Sequence, residues 1–327
     1  MRYFFVLVLS LALVATGLAY LWLHQPFGLA ADAVDVSVES GMSAREVATA
    51  VALAGVPVNP VLLHGWFRLS GQSRQIRAGS YELDRAATPA SLLQKLVRGE
   101  EALRSVTLVE GWTLRQVRDA LKKAEQLKPD SQALSASEIM TQLGQHGVSA
   151  EGHFFPDTYT YSKGSSDLAV LKRAMLAMDK RLAAAWEQRD PKSPLADPEQ
   201  ALILASIVEK ETGAPGDRPS ISAVFNNRLA IGMRLQTDPT VIYGLGDTFD
   251  GNLRKRDLLA DTPWNTYTRA GLPPTPISMP GKASLLAAVQ PARSKALYFV
   301  AKGDGSSYFS TTLDEHNRAV NKYQRGQ

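Results

Sequence analysis

Residues 197–213 constrain the fold more than any other stretch of the sequence. Asp197 is placed to cap a helix, Pro198 suits its first turn, Gln200 holds the capping-box position and Gly213 supplies a stop, which together predict about four helical turns. Between Ala201 and Val208 the single polar residue is Ser206, and a helix apolar on every side has to be enclosed by other elements. That helix closes on two acids. At about 100° per residue, Glu211 continues the stripe of Leu204, Ile207 and Val208, whereas Glu209 falls near Leu202 and Ala205. A carboxyl at the end of an apolar stripe loses hydration, so its pKa rises and it keeps a proton to donate at neutral pH. The plainer alternative is a pair of solvated acids at a fraying helix end. Acids in a last turn oppose the helix dipole, so propensity does not account for them.

The amino end imposes a second constraint. Residues 3–23 carry no charge, follow Arg2 and precede His24, Gln25 and Pro26. About 20 apolar residues match the hydrocarbon thickness of a bilayer, and a cleaved signal has a shorter apolar core. Residues 1–24 are therefore read as a short cytoplasmic tail and one transmembrane anchor, with Tyr3, Tyr20 and Trp22 as interfacial aromatics. Arg2 favours a cytoplasmic tail and an exported remainder, with cleavage near Ala30 or Ala31 as the alternative. The chain of 327 residues has a net charge of +4 without a long basic run, which points away from nucleic acid. Cysteine is absent, which removes disulfides, thiolate metal sites and a cysteine nucleophile.

An internal repeat follows the anchor. Val36-Ser37-Val38, Gly41 and Ser43-Ala44-Arg45-Glu46-Val47 match Val106-Thr107-Leu108, Gly111 and Thr113-Leu114-Arg115-Gln116-Val117 at an offset of 70. Each copy predicts a short strand, a glycine turn and a helix opened by a capping box. Between them, residues 62–69 suggest a helix, 79–83 a strand, and Thr88-Pro89 opens a helix that ends at Arg98-Gly99. A βααβ unit with one added helix thus occupies residues 35–104, and its pattern resembles the peptidoglycan-binding LysM module. A spacer or packing module without a ligand fits the same pattern.

The remainder, 105–327, predicts a mainly helical α+β domain. Residues 128–147 contain a capped helix, 167–189 a long amphipathic one, and Asp217-Arg218-Pro219 opens another in which Asn226 and Asn227 cost propensity. In residues 151–161, aromatics alternate with acids and hydroxyls. That combination suits a carbohydrate groove, although a loop packing its rings inward has the same composition. Residues 233–240 read as extended, 261–280 as a long Pro- and Thr-rich loop carrying Trp264-Asn265-Thr266-Tyr267, and 297–310 as a hairpin around Gly303-Asp304-Gly305 before a closing helix.

His24, His64, His146, His153 and His316 are too scattered for a metal cluster, and neither a Gly-rich phosphate loop nor a GxSxG elbow occurs. What remains is acid chemistry from the central helix beside groups suited to sugars. Asp238, Asp157 or Glu151 could serve as a second carboxylate for hydrolysis. One carboxyl suffices where the substrate supplies the nucleophile, as the C6 hydroxyl of muramic acid does.

Ala205-Ser206-Ile207-Val208-Glu209-Lys210-Glu211-Thr212, Val224-Phe225-Asn226-Asn227-Arg228-Leu229, Gly232-Met233-Arg234-Leu235-Gln236-Thr237-Asp238-Pro239-Thr240-Val241-Ile242-Tyr243-Gly244, Asn265-Thr266-Tyr267 and Gly271-Leu272-Pro273-Pro274 closely resemble the MltG (YceG-like) endolytic murein transglycosylases. Glu151-Gly152 and Phe155-Pro156-Asp157-Thr158-Tyr159 also match, with His153-Phe154 as a departure. The resemblance implies Glu211 as the catalytic acid and then base. It also implies a substrate groove drawn from Glu151, Asp157, Tyr159, Glu209, Asn226, Arg228, Gln236, Thr237, Asp238, Tyr243, Asn265 and Tyr267, with no metal or cofactor. Gln236, Asp238, Asn226 and Tyr243 are the candidates for orienting the sugar or the acid. It further implies a single-pass inner-membrane protein with a periplasmic catalytic domain, acting on nascent peptidoglycan beside its synthases and leaving 1,6-anhydro ends between MurNAc and GlcNAc. A two-carboxylate glycan hydrolase and a membrane-anchored glycan-binding scaffold are the alternatives.

Overall fold

In the computed structural model, which describes residues 1–211 and 214–326, the uncharged amino-terminal run is one helix, α1 (Arg2–His24), none of whose residues is buried. It is long and apolar enough to cross a membrane. Next come β1 (Ala33–Val38), α2 (Ala44–Leu53), α3 (Pro60–Leu69), β2 (Gly79–Asp84) and α4 (Pro89–Arg98). The βααβ order and the added helix are present, and β1 and β2 pair antiparallel with Val36 opposite Tyr81. The capping box that opens α2 is reciprocal: Glu46 accepts from the Ser43 amide at 2.7 Å and Ser43 Oγ from the Glu46 amide. Val36, Val47, Val51, Leu63, Phe67, Tyr81 and Leu92 form one buried core, against which Trp22 and Phe27 pack.

The rest of the chain supplies β3 (Leu103–Thr107), α5 (Leu114–Lys123), α6 (Ala136–Gln142), β4 (Thr158–Ser162), α7 (Asp167–Glu187), α8 (Pro198–Glu211), α9 (Arg218–Ala230), α10 (Asp238–Leu245), α11 (Lys255–Leu259), α12 (Lys282–Val289), β5 (Tyr298–Ala301), β6 (Ser307–Ser310) and α13 (Leu313–Gln324). By contacts the chain divides into one unit of Met1–Arg104 with Thr160–Ser165 and a second of Ser105–Tyr159 with Ser166–Gln327. The sheets are two-stranded, β1–β2, β3–β4 and β5–β6, so strands are scattered among helices and the class is α+β. The second copy of the repeat forms β3 and α5, with Gln116 accepting from the Thr113 amide at 2.9 Å.

The second unit is organised around α8. Asp197 caps it by accepting from the Gln200 amide at 2.8 Å, while Gln200 reaches back to the Ala196 amide. Every residue from Ala201 to Val208 is buried, against Met178 of α7, Ile221 and Phe225 of α9, and Leu285 and Ala288 of α12. Burial of Leu202, Leu204, Ile207 and Val208 stabilises the fold by about 1.5–3 kcal/mol each. Ser206, the polar exception, is satisfied internally: its hydroxyl donates to Ile203 and accepts from the Ile277 amide, while its carbonyl accepts from Ser278 Oγ. The expected stop at Gly213 lies outside the described residues.

The extended run read across residues 233–240 ends at Thr237. That residue has extended dihedrals and begins α10, in which Asp238 complements the helix dipole and Pro239 forfeits an amide that would have no partner. The five-residue α11 has no readable periodicity, and it interrupts the stretch before the long loop.

Candidate active site

Both acids at the end of α8 are placed by that helix, and their surroundings differ. Glu209 points into a cluster where its carboxylate accepts from the Gly281 amide at 2.8 Å and lies 3.6 Å from Arg218. Its charge helps push the nearby Glu110 carboxyl above the usual range, after burial. Glu211 instead lines a cavity of about 660 Å³ with Arg228, Gln236, Asp238, Tyr267, Tyr298 and His316 among its walls. Burial pushes its carboxyl above the usual range and the Asp238 carboxylate adds to the rise, while a hydrogen bond donated by the Thr237 hydroxyl and the charge of Arg228 oppose it.

The floor of this cavity is held by strained and interlocked backbone. Gln236 adopts φ +49, the left-handed region that non-glycine residues rarely occupy. It is kept there by its amide, which donates to the Thr266 carbonyl at 3.1 Å, and by the next amide, of Thr237, which donates to Thr266 Oγ1. Thr240 Oγ1 lies 2.9 Å from the same hydroxyl. The long loop therefore clasps the start of α10, and it brings Tyr267, whose hydroxyl donates to Asp238 at 2.5 Å. Arg228 is buried across the cavity's rear, donating to the carbonyls of Leu235 and Leu297 at 2.7 Å each.

Glu151 belongs to a different cavity, of about 700 Å³, which also includes Lys210, Tyr243 and Trp264. Glu151 is 6% exposed, and its carboxylate accepts from the Leu114 amide at the start of α5 at 3.0 and 3.1 Å and from the Tyr243 hydroxyl at 3.1 Å. Burial outweighs these donors and pushes its pKa up to about 7. Gly152 is required beside it: φ is +84, and a side chain would run into Pro276.

The structure thus gathers Glu211, Arg228, Gln236, Asp238 and Tyr267 at one cavity, with Thr237 hydrogen-bonded to Glu211, and Glu151 and Tyr243 at the other. The remaining candidates take other places. Asn226 is buried and donates to Ser222 and to the Ala288 carbonyl, which ties α9 to α12. Its neighbour Asn227 donates to the Ser294 and Ala296 carbonyls, so the propensity cost of both asparagines is offset by tertiary hydrogen bonds. Asn265, fully buried, donates to the Leu258 and Ala260 carbonyls at the end of α11. In residues 151–161 the rings pack inward: Phe154, Phe155, Tyr159 and Tyr161 are buried, and the Tyr159 hydroxyl donates to the Phe155 carbonyl at 2.7 Å. Asp157 is exposed, 3.8 Å from Arg181.

Tyr298 and His316 line the Glu211 cavity although sequence reasoning passed over them. Their rings stack with centroids 5.2 Å apart, and the His316 imidazole is held below its ordinary pKa by burial and by Arg228. The available signal was helical: Leu313, His316 and Val320 share a face of α13.

An enclosed helix that presents one desolvated carboxyl to a cavity also lined by tyrosine hydroxyls, an amide and a guanidinium is an arrangement suited to acid–base chemistry in an α+β domain. Comparison with known proteins is specific. The YceG-like family matches across residues 36–322, and the chain belongs to that family. It is similar to the endolytic murein transglycosylase of Bacillus subtilis, 31% identical over 309 residues that cover 89% of this chain and 84% of that protein. The endolytic murein transglycosylase of Streptococcus pneumoniae is 26% identical, over 88% of this chain and 58% of its own length. A crystal structure of a putative yceG-like protein from Listeria monocytogenes is similar at a TM-score of 0.56 and 30% identity, covering 88% of this chain and 98% of that one.

Proposed function

We propose that this protein is a lytic transglycosylase of peptidoglycan, and that it cuts glycan strands internally between MurNAc and GlcNAc. The relatives' activity supports the reaction class, and the observation that carries the residue assignment is the isolation of Glu211. Burial and the Asp238 charge raise its pKa and so favour the protonated form, which donates to the glycosidic oxygen as the C1–O bond breaks. The resulting carboxylate then takes the proton of the muramic C6 hydroxyl while that oxygen bonds to C1, which closes the 1,6-anhydro ring without water. Thr237 orients the acid, and Asp238, fixed by Tyr267, supplies negative charge near the developing oxocarbenium. Glu209, already engaged by Arg218 and Gly281, is structural.

In this reading α1 is a single-pass inner-membrane anchor with Arg2 on the cytoplasmic side, and the enzyme domain is periplasmic, near the synthases that make the strands. The βααβ unit is a LysM-like subdomain in this reading. Mass spectrometry of products from uncrosslinked glycan tests the assignment. Wild type should give anhydro ends, Glu211→Gln none, and Glu209→Gln the same products as wild type. Products one water heavier would establish hydrolysis instead, and activity retained in Glu211→Gln but lost in Glu209→Gln would move the acid. Sacculus binding without any soluble product would leave a scaffold.

A further inference from the structure

Lys210 and Glu211 are consecutive, as are Asp238 and Pro239, and each pair is divided between the two cavities: Glu211 and Asp238 line one, Lys210 and Pro239 the other. The cavities therefore adjoin along a seam formed by the end of α8 and the start of α10. Their walls differ in chemistry. Around Glu211, the charges of Arg228 and Asp238, the Gln236 amide and the Tyr267 hydroxyl form a polar side suited to sugar hydroxyls, among apolar residues that include Phe299 and Val300. On the other side, Ile242, Tyr243, Phe249 and Trp264 build an apolar wall, with the Tyr243 and Trp264 rings edge to face at 5.6 Å.

Charge completes the contrast. The exposed Lys210 ammonium stands at the rim of the apolar cavity, touching the Gly111 carbonyl at 3.4 Å. Arg115 also lies there, ion-paired with Asp247, and the Glu151 carboxylate is tied down by the Leu114 amide and Tyr243. A cation beside an apolar wall recognises an anionic group that carries methyl and methylene surface. A neutral, hydroxyl-rich sugar makes less use of both.

We propose that the cavity beside Glu151 binds the peptide stem of the glycan strand, with Lys210 pairing to a stem carboxylate and Tyr243 and Trp264 packing on its alkyl groups. This rests on the lytic reading of the Glu211 cavity, because the stem hangs from the same muramic acid whose C1 is cut, which brings it to the seam. A volume of about 700 Å³ is within the range that encloses a short peptide or a drug-sized ligand.

Two measurements on the full chain in detergent micelles test the proposal. The first compares kcat/KM on uncrosslinked glycan with that on the same glycan stripped of stems by an amidase. Stem-bearing glycan should be cut about tenfold more efficiently, and Lys210→Met should remove that preference while Lys210→Arg keeps it. The second titrates free L-Ala-γ-D-Glu-containing tripeptide into the Glu211→Gln protein and follows tryptophan fluorescence. Saturable binding weakened about tenfold by Lys210→Met is expected. Equal cleavage of both glycans together with no saturable tripeptide binding overturns the stem site and leaves the reaction standing. Lys210-dependent tripeptide binding with neither glycan cleaved supports the stem site and sinks the reaction.

Discussion

The cavities on either side of the α8–α10 seam each contain a carboxyl raised by burial, and they differ in what holds it. Glu151 accepts from a backbone amide with both oxygens and from a tyrosine hydroxyl. Glu211 accepts from the Thr237 hydroxyl and faces the like charge of Asp238. Desolvation raises both acids, so a raised pKa alone does not single out a proton donor. The donors engaged differ: Glu151 is a clamp between α5 and α10, whereas among the described residues Glu211 accepts from the Thr237 hydroxyl alone.

The sharpest way to break this comparison is to remove the acid. Glu211→Gln should lower kcat by about 10³-fold, as expected for loss of a general acid–base group, without lowering the midpoint of thermal unfolding at pH 7. The other acid of α8 should behave in the opposite way. Glu209→Ala leaves Arg218, with 15% of its side chain exposed, without that partner and should cost about 3 kcal/mol in urea unfolding.

The clamp should show itself through pH. Its pKa of about 7 in the folded state lies above the 4.5 of an unperturbed glutamate, so the folded protein binds the extra proton between those values. That contribution to stability is complete below about pH 4.5 and is lost as pH rises through about 7. Glu151→Gln, which retains an acceptor oxygen, should therefore stabilise the protein by about 2–3 kcal/mol at pH 8 and by much less at pH 5, measured by denaturant midpoints at both.

Smaller and opposite shifts should come from the neighbours of Glu211. Asp238→Asn removes a charge that raises the acid, so the alkaline limb of kcat/KM should move to lower pH. Thr237→Val removes the donor that lowers it, and the limb should move to higher pH. If both variants moved the limb in the same direction, the limb would not report on Glu211.

Much of the fold was legible because its signals are local. The capping boxes at Ser43 and Thr113, the Pro-opened helices and the closing hairpin need only a few neighbouring residues to form. The run through Thr240 misled because Thr237-Asp238-Pro239 is both the end of an extended segment and the opening of a helix, and the sequence shows the two alike. Site residues divided along the same line. Glu211 could be placed from the helical wheel, whereas the hydrogen bonds of Asn226 and Asn265 to backbone carbonyls could not be read from the sequence. Those carbonyls carry no side-chain signature. Tyr298 and His316 line the Glu211 cavity from more than eighty residues further along the chain, a proximity that chain order does not show.

Hydrophobic periodicity and capping chemistry by themselves determined an apolar amino-terminal helix, an enclosed central helix and a carboxyl at its end, since each depends on spacing within a few turns. The tertiary structure decided what each of the two acids, two residues apart on α8, meets: Glu211 a cavity, and Glu209 an arginine. The reason is physical: pKa and availability follow from solvation and from the donors that arrive on other segments, and chain order does not encode either.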